Sequence, residues 1–267
     1  METAPQTCYR HPGNRAGVRC QRCNRLICPD CMHQASVGFH CPECTHQGRQ
    51  QVVRASQLRS TGGVSLTNIL IGINLAIYVF GMQDTQPSLL DRGALYGPLV
   101  ASGEWYRIVT SGFLHVNALH VGMNCFVLYQ LGLLMEPVLG RFRFGLVYLV
   151  SLLSGSLGVL LLQPHSSAVG ASGAIFGIMG AAVAAMRSRG INPFQTGLGG
   201  TIMLNLLITF IVPNIAIGAH IGGLVGGFVA GWIITDVGPS MSKDQRVPTA
   251  VVALLGVAVA GGCLLVA

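Results

Sequence analysis

Seven apolar segments dominate the sequence after residue 65 and limit what this chain can form. They lie at about residues 66–82, 115–135, 144–162, 171–186, 198–216, 218–235 and 247–267. At about 1.5 Å of rise per helical residue, most can cross much of a hydrocarbon layer about 30 Å thick. We divide the fifth segment from the sixth at Pro213-Asn214, because these residues interrupt a run too long for one span. The sequence therefore predicts an all-α polytopic membrane protein.

Composition favours the same class. Charged residues make up 9% of the chain and hydrophobic residues 51%, whereas about a quarter of the residues of an average soluble domain are charged. The formal net charge is +7, but the basic residues do not form a single patch. We interpret the positive charge as a signal of membrane orientation and expect no nucleic-acid partner.

The positions of the basic residues predict how the chain is oriented. If the N-terminus is cytosolic, fourteen of the sixteen lysines and arginines lie on the cytosolic side, and only Arg92 and Arg107 lie outside. Such a bias is typical of cytoplasmic loops. We expect a multi-pass protein of a bacterial plasma membrane with an external C-terminus.

Four pairs of potential metal ligands lie near the N-terminus. They are Cys8 and His11, Cys20 and Cys23, Cys28 and Cys31, and Cys41 and Cys44. Eight ligands suit two tetrahedral zinc ions, and the spacing favours a cross-brace in which pairs one and three share one ion and pairs two and four the other. A disulfide framework is the alternative, but the cysteines of this region are odd in number and His11 completes the pattern.

This cysteine-rich region resembles a B-box-type zinc finger over about residues 8–44. Because four protein ligands close each site to substrate, the resemblance implies binding of a cytosolic protein partner and not catalysis. We assign residues 1–47 to this zinc-stabilised module. Residues 48–65 are then a basic juxtamembrane linker.

The few polar side chains within the apolar segments concentrate at the predicted external ends of three helices. Ser172 begins the fourth segment and His220 lies near the start of the sixth. His120 and Asn124 lie four residues apart, and therefore on one face, in the second. A polar group is costly in lipid, so each should face a cavity or a partner. A histidine about 2.6 to 3.2 Å from a serine can take its proton and make it a nucleophile.

Glycine patterns provide a way for the serine and the histidine to approach each other. Gly173 and Gly177 come shortly after Ser172 in the fourth segment. Gly223 and Gly227 come shortly after His220 in the sixth. Small residues four apart let two helix backbones come close, although plain packing is their common use. We expect the fourth and sixth helices to pack through these glycines.

A buried carboxylate is not expected to orient the histidine. The acidic residues after residue 65 all lie in loops or at predicted helix ends. Phe176 lies one turn beyond Ser172 on the same helix face, so its ring is the expected support against which His220 stacks. The sequence thus predicts a Ser-His dyad oriented by packing.

Three separate motifs resemble those of the rhomboid family of intramembrane serine proteases. In chain order they read His115-x4-His120-x3-Asn124, Gly170-Ala171-Ser172-Gly173 and Ala219-His220-x2-Gly223-x3-Gly227. The resemblance covers about residues 66–235 and implies a six-helix catalytic core there. Residues 236–267 then form a cytosolic loop and a seventh transmembrane helix. Trp105-Tyr106-Arg107 is similar to part of the family's membrane-lying loop.

The resemblance also implies roles for individual residues. Ser172 is expected to be the nucleophile, and His220 the general base and then the general acid. The groups expected around the oxyanion, or supporting it, are His120, Asn124, the Ser172 amide, Gly170 and Gly173. The implied substrate is a membrane protein with a labile transmembrane helix, cleaved near the external face of the bilayer. Two structural zinc ions are the expected cofactors, and catalysis needs none.

Two other functions stay open at this point. An inactive rhomboid-like protein would bind membrane helices without cleaving them, but the presence of both Ser172 and His220 counts against it. A transporter or channel would also use intramembrane histidines. However, the spans carry no acidic residue at mid-membrane, and the two halves show no evident repeat.

Overall fold

The computed structural model describes residues 6–35, 37–47, 64–82, 88–211, 215–242 and 244–267. The chain divides into two compact units, residues 1–62 and 63–267. Three sequence predictions fall wholly or largely outside the described residues: the linker at residues 48–65, the division at Pro213-Asn214 and the cytosolic position of Lys243. The domain boundaries after residues 47, 65 and 235 stay predictions.

The described part of the N-terminal unit contains two short hairpins, a 3-10 turn at Pro29–Cys31 and one short α-helix. Its strands are β1 (Val18–Arg19), β2 (Leu26–Ile27), β3 (His33–Gln34) and β4 (Phe39–His40), which pair antiparallel as β1 with β2 and β3 with β4. The helix Pro42–Gln47 follows. Asn24 adopts a positive φ of 61° between β1 and β2, a conformation that asparagine tolerates better than most residues.

Cysteine side chains fill the interior of this unit. Its buried core consists of Ala16, Ile27 and the cysteines Cys8, Cys20, Cys28, Cys31, Cys41 and Cys44. A core with one large aliphatic side chain buries too little apolar surface to stabilise a fold by itself. This interior therefore fits a unit that is stabilised by metal.

Seven apolar helices lie in the described part of the second unit. We label them α1 (Leu66–Gly81), α2 (Ala118–Leu139), α3 (Arg141–Leu162), α4 (Ser172–Arg187), α5 (Leu198–Ile211), α6 (Ile217–Trp232) and α7 (Arg246–Val266). They correspond to the seven apolar segments, so the prediction of a helical membrane protein is confirmed. The second segment begins later than expected because the Asn117 side chain caps α2, accepting a hydrogen bond from the His120 amide at 2.9 Å.

Four of the described helices are long and apolar enough to cross a membrane: α2, α3, α6 with its extension to Ser240, and α7. The other three are apolar but shorter, with 16 residues in α1, 16 in α4 and 14 in α5. Helix α4 is about 24 Å long. In a bilayer about 30 Å thick, one end of such a helix would lie below the surface.

Helices α3, α4 and α6 form the tightly packed centre of this unit. Every residue of α4 from 173 to 182 is buried. Glycine permits the close contacts: a Cβ at Gly227 of α6 would overlap the backbone of Gly177 on α4, and one at Gly218 would overlap Gly158 on α3. The two glycine patterns therefore form a direct backbone contact between α4 and α6.

Helix α5 packs much less closely than the central helices. Its exposed large side chains are Met203, Leu204, Leu207, Ile208, Phe210 and Ile211. Such a surface suits contact with lipid. Thr209 is the exception in the second half of α5, because it is only 2% exposed and faces the centre of the unit.

Candidate active site

Ser172 and His220 meet at the ends of the two central helices. Ser172 is the first residue of α4, and His220 lies in the first turn of α6. The Nε2 atom of His220 lies 2.7 Å from the Oγ atom of Ser172, which is hydrogen-bond distance. His220 is buried, whereas Ser172 is partly accessible. The structure thus brings together the two residues that the sequence singles out as a nucleophile and its base.

Backbone packing around the glycines sets this distance. Gly173 follows the serine directly, and a Cβ there would lie 3.2 Å from the carbonyl oxygen of Ala219, the residue before the histidine. A Cβ at Gly223 would overlap the carbonyl group of Gly173. Larger residues at these positions would move α4 and α6 apart, so the glycines hold the two side chains within reach of each other.

Two groups orient the His220 ring. The Phe176 ring stacks on it with a centroid separation of 4.2 Å and an interplanar angle of 17°, as the sequence leads one to expect. The second group was not predicted: the Thr209 hydroxyl lies 2.6 Å from Nδ1 of His220. The sequence prediction thus includes the packing contact of the ring but misses its polar contact with Thr209. Thr201, Asn205 and Thr209 are polar residues spaced four apart in a mostly apolar helix, and this spacing was the signal available in the sequence.

The residues proposed around the oxyanion occupy the same region. Gly170 has a φ of +127°, which favours glycine, and its amide donates to the carbonyl oxygen of Ser111 at 2.9 Å. A Cβ at Gly170 would lie 2.8 Å from Nε2 of His120 and 3.7 Å from Oγ of Ser172. The His120 ring is therefore next to the turn that precedes α4. Asn124 is buried, and its amide group donates to the His120 carbonyl oxygen at 2.9 Å.

His115 packs against His120 from the end of the loop before α2. The two rings meet edge to face with a centroid separation of 4.9 Å. His115 is buried, and its two ring nitrogens have no hydrogen-bond partner among the described residues. Its contact with the His120 ring makes it a support for the position of that ring.

A cavity of about 890 Å³ contains these groups. Ser172, His220, His120 and Asn124 all line it. Its lining also includes residues of the loop before α2 and side chains of α2 and α5, among them Met123 and Ile208. Ser172 is therefore accessible from a large space that is lined by both apolar and polar side chains.

The loop before α2 is held by a buried arginine. Arg107 donates to the carbonyl oxygens of Asp91 at 2.9 Å and Ala94 at 2.8 Å, and to the Glu104 carboxylate at 2.7 Å. Hydrogen bonds from Tyr106 and then Arg107 hold the pKa of Glu104 below its ordinary value. Trp105 is 62% exposed beside this cluster. An ordered loop with an exposed tryptophan suits the interface between membrane and water.

The N-terminal unit contains two clusters that could hold metal ions. One consists of Cys8, His11, Cys28 and Cys31, and the other of Cys20, Cys23, Cys41 and Cys44. Within each cluster the potential ligand atoms lie within 4.8 Å of one another. The structure therefore combines pairs one and three, and pairs two and four, as the sequence predicts. Four thiol or imidazole groups at one point suit a tetrahedral ion.

The sequence is similar to known rhomboid proteins. The family model for the rhomboid domain matches residues 102–237. The chain is 34% identical to rhomboid protease GluP of Bacillus subtilis over 166 residues, which are 60% of this chain and 32% of that protein. It is 37% identical to RHOMBOID-like protein 5 of Arabidopsis thaliana over 49% of this chain and 42% of that protein. It is 35% identical to the putative rhomboid protease YdcA of Bacillus subtilis over 58% of this chain and 81% of that protein. The chain thus spans less than half the length of the first two relatives.

Proposed function

Because the chain belongs to the rhomboid family, we propose that it is an intramembrane serine endopeptidase in which Ser172 is the nucleophile and His220 the general base. The observation that carries this proposal is the 2.7 Å separation of Ser172 Oγ and His220 Nε2 inside a large cavity. A serine is a weak nucleophile by itself, and an adjacent base activates it. Relatives that are named as proteases support the same reaction.

The proposed reaction has two stages. His220 Nε2 takes the proton from Ser172 as the serine oxygen attacks the carbonyl carbon of the scissile peptide bond. The protonated histidine then gives this proton to the leaving amine as the C–N bond breaks and an acyl-enzyme forms. In the second stage His220 takes a proton from a water molecule that attacks the ester carbonyl carbon, and it returns this proton to the Ser172 oxygen as the C–O ester bond breaks and the acid product leaves.

Negative charge on the attacked carbonyl oxygen needs nearby donors. The first amides of α4 have no partner within the helix, and the positive end of the helix dipole lies there. We assign the Ser172 amide, the His120 ring and the Asn124 side-chain amide to this task. An amide group carries two N–H bonds, and the bond to the His120 carbonyl oxygen uses one of them.

The proposed substrate is the transmembrane segment of another membrane protein. A peptide bond inside an intact helix is shielded by the helix itself, so a segment that unwinds easily would reach Ser172 more readily. Because α2 and α5 both contribute residues to the lining of the cavity, we propose that the substrate enters from lipid between these two helices. We propose cleavage near the external face of a bacterial plasma membrane, with the N-terminus cytosolic and the C-terminus external.

Zinc is the metal that we propose for the N-terminal unit. Sets of four cysteines, or of three cysteines and one histidine, are typical of structural zinc. Because such sites leave no position for substrate, the unit would bind a cytosolic protein partner and take no part in the chemistry. Catalysis itself needs no cofactor in this scheme.

An inactive protein that only binds membrane helices is the second candidate. It requires the same cavity but not an aligned serine and histidine. Labelling with a fluorophosphonate, followed by mass spectrometry, separates the two candidates. The proposal predicts labelling at Ser172 that His220→Ala suppresses, and an unlabelled Ser172 in the folded wild-type protein would favour the inactive one.

A further inference from the structure

Thr209 joins the His220 ring to the backbone of α5 through two short hydrogen bonds. Its Oγ1 atom lies 2.7 Å from the carbonyl oxygen of Asn205, one turn earlier in α5, and 2.6 Å from Nδ1 of His220. Nε2 of the same ring faces Ser172. Four groups therefore form one continuous chain of polar contacts, and each end of the imidazole has a different partner.

Counting protons along this chain fixes the form of the histidine. The Thr209 hydroxyl has one hydrogen, and the Asn205 carbonyl oxygen can only accept. Two oxygens 2.7 Å apart need that hydrogen between them, so the hydroxyl donates to the Asn205 carbonyl oxygen. The Thr209 oxygen must then accept a hydrogen bond from Nδ1 of His220. Nδ1 of His220 is then the protonated nitrogen and Nε2 carries the free lone pair. This is the tautomer that can take a proton from Ser172.

We propose that Thr209 is a positioning residue that holds His220 in the tautomer with Nδ1 protonated. This inference rests on the proposed function of Ser172 and His220. In a Ser-His-Asp triad a carboxylate accepts from Nδ1–H and so fixes the ring and its tautomer. Here a neutral hydroxyl fills that position, and the Asn205 carbonyl oxygen orients the hydroxyl in turn.

The position of Thr209 on α5 makes the histidine depend on this outer helix. The neighbours of Thr209 along the helix, Ile208 and Phe210, are exposed, whereas Thr209 is buried against His220. Thr209 therefore lies on the inner face of α5, whereas most of the large side chains in the second half of this helix are exposed. A displacement of α5 that lengthens the Thr209–His220 contact would also free the ring to adopt the unproductive tautomer.

Substitutions at two threonines of α5 test the proposal. Thr209→Val keeps the shape of the side chain but removes the hydroxyl, and Thr209→Ser keeps the hydroxyl but removes a methyl group. Thr201→Val is the matched control, because the exposed Thr201 hydroxyl also bonds to the backbone one turn earlier, the Gly197 carbonyl oxygen at 3.2 Å. The full chain in liposomes is tested for cleavage of a single-span substrate, for the rate of fluorophosphonate labelling and for melting temperature.

We expect Thr209→Val to lower kcat and the labelling rate by a similar factor, about 10- to 100-fold, with little change in KM, because activation of the serine is impaired at its base. Thr209→Ser should restore most of both rates, and Thr201→Val should leave both unchanged. Equal losses in Thr209→Val and Thr209→Ser, or normal labelling of Thr209→Val, would overturn the proposal. Failure of the proposed function looks different, since the wild-type protein would then give neither cleavage nor labelling.

Discussion

Asn124 is the proposed oxyanion donor for which a purely structural role is the strongest alternative, because its side chain already bonds to its own helix. If it also donates to the developing oxyanion, Asn124→Ala should lower kcat about 10- to 1000-fold with little change in KM. Single-turnover cleavage and the melting temperature, measured in one detergent, separate the two roles. A lower melting temperature with a normal rate in the folded fraction would make Asn124 a structural residue only.

Glu136 is a second buried polar residue, and we expect its role to be structural. Its carboxylate, in the last turn of α2, accepts hydrogen bonds from the Leu66 amide at 2.8 Å, the Thr67 amide at 2.9 Å and the Thr67 hydroxyl at 2.6 Å. Glu136→Ala leaves these donors of α1 without a charged acceptor, which costs about 1.5 to 3 kcal/mol for each such bond. The melting temperature should fall by several degrees, and less in Glu136→Gln. An unchanged value in Glu136→Ala would show that this contact does not hold α1.

At the scale of residues, the sequence indicates most of the site but not the partner of Nδ1. Ser172 and His220 stand out because polar groups are rare in the spans, and Phe176 follows from helical spacing. Whether Thr209 contacts His220 depends on which face of α5 points to the centre of the unit. Apolar residues lie around Thr209 on all sides of the helix, so the sequence gives no strong indication of that face. Its partner is therefore known only once α5 is packed against α6.

At the scale of helices, the contact between α4 and α6 should be the most sensitive part of the fold. A Cβ at Gly227 would meet the backbone of Gly177, which cannot move aside as a flexible side chain can. Gly227→Ala should therefore lower both activity and melting temperature, and Gly227→Val should lower them further. The reason is that α4 and α6 separate and the distance between Ser172 Oγ and His220 Nε2 increases. Proteolysis and thermal unfolding in the same detergent give both values.

Gly261 of α7 provides the matched control for this contact. A Cβ at Gly261 would meet no other atom within 4 Å, so Gly261→Ala keeps its neighbours in place. We expect near-normal activity and melting temperature in that variant. Full activity in Gly227→Val would show that the glycines do not set the distance between Ser172 and His220.

Helix positions are the easiest feature to predict here, because hydrophobic length alone marks them. The loop before α2 is harder. Its helical turns at Leu89–Gly93, Gly97–Ala101 and Arg107–Thr110 are short, and the Arg107 side chain joins carbonyl groups 13 and 16 residues away in sequence. Contacts between residues so distant in the chain leave no periodic pattern in the sequence.

At the scale of the whole molecule, metal binding and proteolysis should be separable. The full chain should bind two zinc equivalents, one in each cysteine cluster. Replacing Cys20 and Cys23 together by serine should remove one equivalent, because that cluster then keeps only two ligands. Cleavage of a single-span substrate in liposomes should be retained. Metal analysis and proteolysis of the same preparation check both results.

Two further cysteines provide the control for the metal measurement. Cys125 and Cys263 lie in α2 and α7, outside both clusters, so replacing them by serine should leave the zinc content unchanged. Loss of all proteolysis in a folded Cys20→Ser, Cys23→Ser variant would mean that the N-terminal unit takes part in catalysis.

Cleavage of a single-span membrane substrate by the purified full chain in liposomes tests whether Ser172 and His220 form a proteolytic dyad. The wild-type protein, Ser172→Ala and His220→Ala are compared at equal concentration after each variant has been shown to fold. We expect only the wild-type protein to cleave the substrate within its transmembrane segment, because loss of either side chain prevents formation of the acyl-enzyme. Cleavage by Ser172→Ala at close to the wild-type rate would contradict this expectation.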